Sequence, residues 1–257
     1  MERNLNVVTH GGVYHADELC AINLYKLFVG VPCLNVVRAA TDSQIPDGYL
    51  AIDIGLGPLD HHQKEGVPSY DDGTKFCAAN RVVQNFGWEY FRSQGLSAEL
   101  CDWAIGQLQM ELKPIAEQDN YGPAKHGNTF SCFCSSLNGT LDFEGALAAV
   151  EPFMKALLNK HVKRALLLQE HPEVLSLSGE VADVGYYLPP DLFPAQVRFI
   201  VCESLRGGFN VTSQDSERWP VKATKGENGC TFVHASRFLA AFESHEQALD
   251  CAWNSLS

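Results

Sequence analysis

Three short runs rich in β-branched residues, Leu5-Asn-Val-Val-Thr9, Leu34-Asn-Val-Val-Arg38 and Tyr49-Leu-Ala-Ile52, lie in the first fifth of the chain. Between the first two, Asp17 to Phe28 carries Leu19, Ile22, Leu24, Tyr25, Leu27 and Phe28 at roughly helical spacing. Strand, helix, strand in this order implies a parallel βαβ unit with a right-handed crossover. The expected fold class is therefore α/β, with a parallel sheet in the N-terminal half. Further helices are expected over Phe76 to Phe86, ending near Gly87, and over Ala98 to Met110, with Pro114 beyond it. After Asp119-Asn-Tyr-Gly122 a polar stretch leads into Asp142 to Gln169, whose apolar stripe reads as one long helix.

From Val174 the texture changes to short strand-like runs: Val174-Leu-Ser-Leu, Val197 to Val201, Phe209 to Thr212 and Cys230 to Val233. A last helix spans Ser244 to Leu256. The expected division is an α/β domain over residues 1–171 and a smaller α+β domain over 172–257.

The ends of the first and third runs carry the chemistry. Thr9-His10-Gly-Gly-Val-Tyr-His15-Ala-Asp17-Glu18 follows the first, and Asp53-Ile-Gly-Leu-Gly-Pro-Leu-Asp60-His61-His62 follows the third. Open α/β sheets place their sites at the carboxyl ends of strands. Gly11 and Gly12 allow a sharp turn that lets His10, His15 and Asp17 converge. Asp53 directly follows an apolar strand, where a carboxylate lacking a cation is costly to desolvate. Four of the nine histidines lie within the first 62 residues. Carboxylate plus imidazole ligation suits Mn²⁺, Fe²⁺ or Zn²⁺, and the surplus of ligands over one coordination sphere suits two ions. Asp60 is placed to orient a ligating imidazole by accepting its second N–H.

Composition narrows the substrate. A formal net charge of −12 opposes binding to long nucleic acid. Two divalent ions would offset that charge locally, so a small phosphorylated substrate or a short oligonucleotide is the expected partner. With 46% hydrophobic and 19% charged residues the chain is expected to be soluble and globular. The polar start, Met1-Glu-Arg-Asn-Leu-Asn, is unlike a signal peptide, and no run of about 18 apolar residues suggests a membrane span. Nine scattered cysteines fit reduced thiols in a cytoplasmic protein, Cys132-Phe-Cys134 being the only close pair. The sequons at Asn138-Gly-Thr140 and Asn210-Val-Thr212 read as turn and strand residues. Neither a P-loop nor a His-Glu-x-x-His motif occurs.

These clusters, together with Asp119 in Gln118-Asp119-Asn120-Tyr-Gly122, resemble the metal-site motifs of the DHH phosphoesterase superfamily. Within it the chain is most similar to the melanocyte proliferating gene family, through Thr9 to Glu18, Asp53 to Gly55, Asp60 to Gln63 and Asp119-Asn120. Phe232-Val-His234-Ala-Ser236 and Trp219-Pro-Val221 extend the resemblance towards the C-terminus. Tyr14, Tyr121 before Gly122, and Arg237 after Ser236 depart from the family pattern.

The resemblance implies a DHH-like catalytic domain and a two-metal phosphoesterase, with a 3′ to 5′ exonuclease on short RNA as the family analogue. It implies metal ligation by His10, His15, Asp17, Asp53, His61 and Asp119, with Asp53 bridging and Mn²⁺ expected ahead of Mg²⁺, Fe²⁺ or Zn²⁺. His62 would contact the phosphoryl group and Asp60 would support catalysis by orientation. Residues 172–257 would be the substrate-binding domain, with His234 and Arg237 on the substrate phosphate, and Arg206 before Gly207-Gly208 is a further candidate anion contact. Hydrolysis of a nucleotide or pyrophosphate, and a non-catalytic metal- or phosphate-binding module, are the alternatives. A homodimer is left open.

Overall fold

The computed structural model describes residues 4–63 and 65–257, so Met1 to Arg3 of the polar start lie outside the described residues. The chain divides into two compact units, the first running to Leu166 and the second spanning Leu167–Ser257.

In the first unit, β1 (Asn6–His10) is followed by α1 (Ala16–Val29), β2 (Asn35–Ala39) and β3 (Leu50–Ala51). The strands form a parallel sheet in the order β2-β1-β3, with Thr9 opposite Arg38 and Val8 opposite Ala51. The α/β expectation is met. Val8, Ala39 and Ile54 form a small core with Ile45, Tyr49 and Ala51 packed against it. Residues Ala16 through Tyr25 of α1 are all buried, as a helix covered on every side requires. The polar Asn23 is satisfied there by the carbonyls of Leu19 (2.9 Å) and Leu147 (3.1 Å).

The helices that follow are longer than their sequence signals. The second, α2 (Ala78–Ser93), continues through Gly87. A Cβ added at Gly87 would lie 3.4 Å from Ile105 of the next helix, so this glycine sits in a helix contact and does not end the helix. The third, α3 (Ala98–Tyr121), runs past Met110 and through Pro114. Proline deprives the Met110 carbonyl of its helical donor, but Met110 is exposed and water can take its place. The polar stretch after Gly122 is also helical, as α4 (Pro123–His126) and α5 (Thr129–Leu137), the latter capped by Asn128 accepting from Ser131 N. The long α6 (Phe143–Glu170) contains the division between the units.

The second unit is a five-stranded mixed sheet of β4 (Val181–Asp183), β5 (Phe199–Glu203), β6 (Phe209–Ser213), β7 (Cys230–Val233) and β8 (Leu239–Phe242), covered by α7 (His245–Leu256). The order is β4-β5-β6-β8-β7, with β4 parallel to β5 and the other pairs antiparallel. Phe199, Val201, Val211, Ala240, Ala248 and Ala252 share its core. The run from Val174 is a 3₁₀ turn, Pro172–Ser176, and not a strand. Pro172 occupies its first turn, where a fixed φ favours helical geometry. All nine cysteines are free thiols. Among the described residues no helix is long and apolar enough to cross a membrane.

Candidate metal centre

The loop between β1 and α1 is built around Arg38 of β2. Its Nε donates to the His10 carbonyl (3.1 Å), one terminal nitrogen to the Gly12 carbonyl (2.9 Å) and the other to Glu18 Oε1 (3.3 Å). The guanidinium also lies 4.4 Å above the Phe143 ring. Gly12 takes φ 85°, open to glycine, and Gly11 N donates to Ala39 O. From the other side, Asn138 accepts from Tyr14 N (3.2 Å) and donates to Tyr14 O (2.9 Å). The loop delivers His10 against Glu18 and, at 3.4 Å, Asp53 Oδ2.

Asp17 turns the other way. Each of its carboxylate oxygens accepts a backbone N–H from the start of α2, from Ala78 at 2.8 Å and Ala79 at 2.7 Å. A helix N-terminus is a favourable place for an anion. Asp17 still lies only 3.7 Å from His61 Nε2, which is also 3.2 Å from Asp53 and 3.0 Å from Asp119. Three carboxylates thus converge on one buried imidazole.

Asp119 reaches this point because α3 extends to Tyr121, and Asn120 ties that end to the Lys75 carbonyl at 2.9 Å. Asp53 occupies the left-handed region at φ 59°, which Asp tolerates better than most residues.

Asp60 is fully engaged by protein donors. Its Oδ2 accepts from Leu56 N (2.7 Å), and its Oδ1 from the backbones of His61 (2.7 Å) and His62 (3.1 Å) and from His62 Nδ1 (2.6 Å). Burial acts to raise its pKa, but these bonds hold the carboxyl well below the usual range. Asp60 therefore shapes the loop and orients His62, which is exposed.

Proton affinities reflect the crowding of acids. Hydrogen bonds to Asp53 and then Glu18 push the His10 pKa up to about 11. Burial opposes protonation of His61, but Asp119 and Asp53 outweigh it and raise that pKa to about 11 as well. Burial, followed by repulsion from Asp53 and Asp119, pushes Asp17 up to about 8. Asp53 is pulled below its ordinary value because His10 and His61 together overcome its burial.

A divalent ion fits this donor set. Asp53 Oδ1 is buried and accepts no well-aligned hydrogen bond, His61 Nε2 standing 3.2 Å away, so a cation would satisfy it better. Potential ligand atoms lie within 4.8 Å of one another in three groups: Asp53, Asp60, His61 and His62; His10, His15 and Glu18; and Asp17, His61 and Asp119. The upstream motif is thereby split, with His10 and His15 in one group and Asp17 in another. All donors are oxygen or imidazole nitrogen, since the nearby Cys77 thiol is held protonated by burial.

The groups face a cleft of about 670 Å³, also lined by Thr41, Gln63 and Lys75. His234 and Arg237 lie in the second unit, on the β7–β8 turn. His234 Nδ1 is 2.9 Å from Ser236 Oγ, and Arg237 donates to the Val221 carbonyl at 3.4 Å. Arg206 is exposed on the β5–β6 turn.

Sequence reasoning assigned no role to Glu18, Arg38, Lys75 or Asn138. Glu18 stood within the quoted motif, and only its burial shows that it braces His10. Arg38 could have been found as the single cation ending a strand beside the acidic loop.

Residues 6–120, which contain every member of the acidic and imidazole cluster, match the MYG1 exonuclease family, described as an uncharacterised protein family (UPF0160). The MYG1 protein of Dictyostelium discoideum is 22% identical over 322 aligned positions, covering 99% of this chain and 97% of that relative. No solved structure matches.

Proposed function

We propose that the chain is a metal-dependent phosphoesterase of the two-metal type, acting as a 3′ to 5′ exonuclease on short RNA. The observation that carries this reading is the convergence of Asp17, Asp53 and Asp119 on His61, all three carboxylates lying within 3.7 Å of its Nε2, at the wall of an open cleft. The name of the matched family points the same way. Asp17, His61 and Asp119 would hold one divalent ion and His10 and His15 a second, with Asp53 between them; Mn²⁺ is the first choice for this donor set. Such ions polarise a phosphoryl oxygen and neutralise charge developing in an in-line displacement.

The chain's own groups do the rest. Glu18 holds His10 in place, and Asp60 fixes the ring of His62. That leaves His62 free at the cleft to hydrogen-bond a phosphoryl oxygen, and Asp60 raises its proton affinity. Lys75 supplies a further positive charge along the cleft. For His234, Arg237 and Arg206 a contact to substrate phosphate belongs to the same proposal, read as a rise in KM without a fall in kcat in alanine variants.

The net charge of −12 favours short substrates, and a small phosphate compound is the second reading. The test is Mn²⁺-dependent release of mononucleotides from a labelled RNA dinucleotide, with bound metal measured in the same samples. Turnover in the wild type that is lost in Asp53→Asn supports the exonuclease. A metal-loaded wild type that ignores the dinucleotide but hydrolyses nucleotide monoesters or pyrophosphate shifts the assignment to the second reading.

A further inference from the structure

Among the described residues the parallel sheet of the first unit is open at both edges. β3 contributes only Leu50 and Ala51, too little to template another strand, whereas β2 offers the whole run Asn35–Ala39. The backbone of β2 can be sorted by direction. Asn35 N donates to the Leu5 carbonyl (2.8 Å), and the Ala39 carbonyl accepts from Gly11 N (2.6 Å), so Asn35, Val37 and Ala39 turn their polar groups towards β1. Alternation along the strand then turns the N–H and C=O groups of Leu34, Val36 and Arg38 outwards, where no strand among the described residues pairs with them. Natural edges are blunted by lysine, proline or a bulge. β2 has none of these: it runs in unbroken register with β1, and its one charge, Arg38, is turned inwards to Glu18 and the first loop. Beside the edge lies a groove of about 380 Å³, where Leu34 and Val36 face Ile22 of α1 and Leu147 of α6. Lys26, 2.7 Å from Glu151, and Glu144 give that groove both signs of charge.

We propose that β2 is a dimerisation edge, on which a second copy of this chain lays its own β2 antiparallel about Val36 and joins the two sheets into one. A two-fold interface needs a patch complementary to itself. The outward residues are symmetric about Val36, so Val36 meets Val36 of the other copy and Leu34 meets its Arg38, each pair exchanging two backbone hydrogen bonds. The mixed charges of the groove meet their own copies without the like-charge repulsion that a net charge of −12 imposes on the molecule as a whole. The proposal is independent of the phosphoesterase reading, since no residue of the acidic and imidazole cluster takes part in the pairing.

The test is sedimentation velocity of the full chain from micromolar to submillimolar concentration, with residue-resolved hydrogen exchange on the same samples. The wild type should dimerise, and the Val36 and Arg38 amides should gain protection as concentration rises, while those of Asn35, Val37 and Ala39 are protected throughout. Val36→Pro deletes an outward donor and keeps every bond to β1, which a sheet edge tolerates. It should weaken the dimer about thirtyfold, through one hydrogen bond lost from each copy. Val36→Lys, which sets two ammonium groups across the two-fold axis, should also favour the monomer. Unchanged protection at Asn35, Val37 and Ala39 in both variants shows that the β1–β2 pairing survives. A chain that stays monomeric throughout overturns the proposal and leaves the edge to an extended segment of another protein. A dimer whose Val36 and Arg38 amides exchange freely, or one that both variants leave intact, overturns it as well and places the interface elsewhere.

Discussion

Replacing Arg38 with Met keeps an unbranched apolar stem against Phe143 and deletes the guanidinium that joins β2 to the first loop. Two hydrogen bonds are lost, to the His10 and Gly12 carbonyls, each worth about 1 kcal/mol. Glu18, wholly buried, loses its guanidinium partner. Breaking a buried ion pair costs roughly 3 kcal/mol or more. Arg38 itself is 23% exposed, so solvent reduces this to about 2 kcal/mol. The sum is about 4 kcal/mol, a large part of a typical domain's stability. Glu18 keeps His10 and the His15 backbone N–H as partners in this variant, so adding Glu18→Gln, which also weakens the hold on His10, should lower stability further. Hydrogen exchange of the β1 and β2 amides in the metal-free protein at slightly alkaline pH reads the first unit alone, and Mn²⁺ titration then reports the displacement of His10. An Arg38→Met chain within about 0.5 kcal/mol of wild type would refute the view that Arg38 organises the loop.

Metal-free protein should become less stable as pH rises from about 6 to 9. His10 and His61 have folded pKa values near 11, above their ordinary 6.5, and Asp17 is raised from 3.8 to about 8. In each case the folded state binds protons more tightly than the unfolded chain, so stability falls as they are given up. Mn²⁺ should reverse the trend, bind more tightly with increasing pH and release protons on binding, all measurable by calorimetry in buffers of different ionisation enthalpy. Asn138→Ala removes both bonds to the Tyr14 backbone and should cost about 2 kcal/mol, with increased exchange in residues 11–15. Gly208→Ala should unfold the second unit selectively in urea, because a Cβ there would lie 2.3 Å from the Phe242 carbonyl oxygen at φ 73°.

The parallel βαβ start was readable because three β-branched runs and one amphipathic segment each carry a strong local period. The cluster was readable because His10, His15, Asp17, Asp53 and His61 follow strand ends. What the sequence hid depends on tertiary context. Gly87 and Pro114 are local breakers, yet α2 and α3 run through them where packing and solvent exposure make the exceptions tolerable. The alanine-rich β8 has weak strand propensity and is held by neighbours on both sides.

The placement of Asp119 at the end of α3 has a consequence for how such chains can change length. Ser97 fixes the start of that helix by accepting from Leu100 N, and every residue between there and Asp119 advances the screw by about 100°. One inserted residue would swing the carboxylate off His61, and a whole extra turn would push it about 5 Å too far. Loop segments can absorb insertions by bulging outwards, but α3 works as a ruler whose phase is read at its last turn. Among functional relatives of this chain, gaps should therefore be absent from residues 98–119 and gather in the loops.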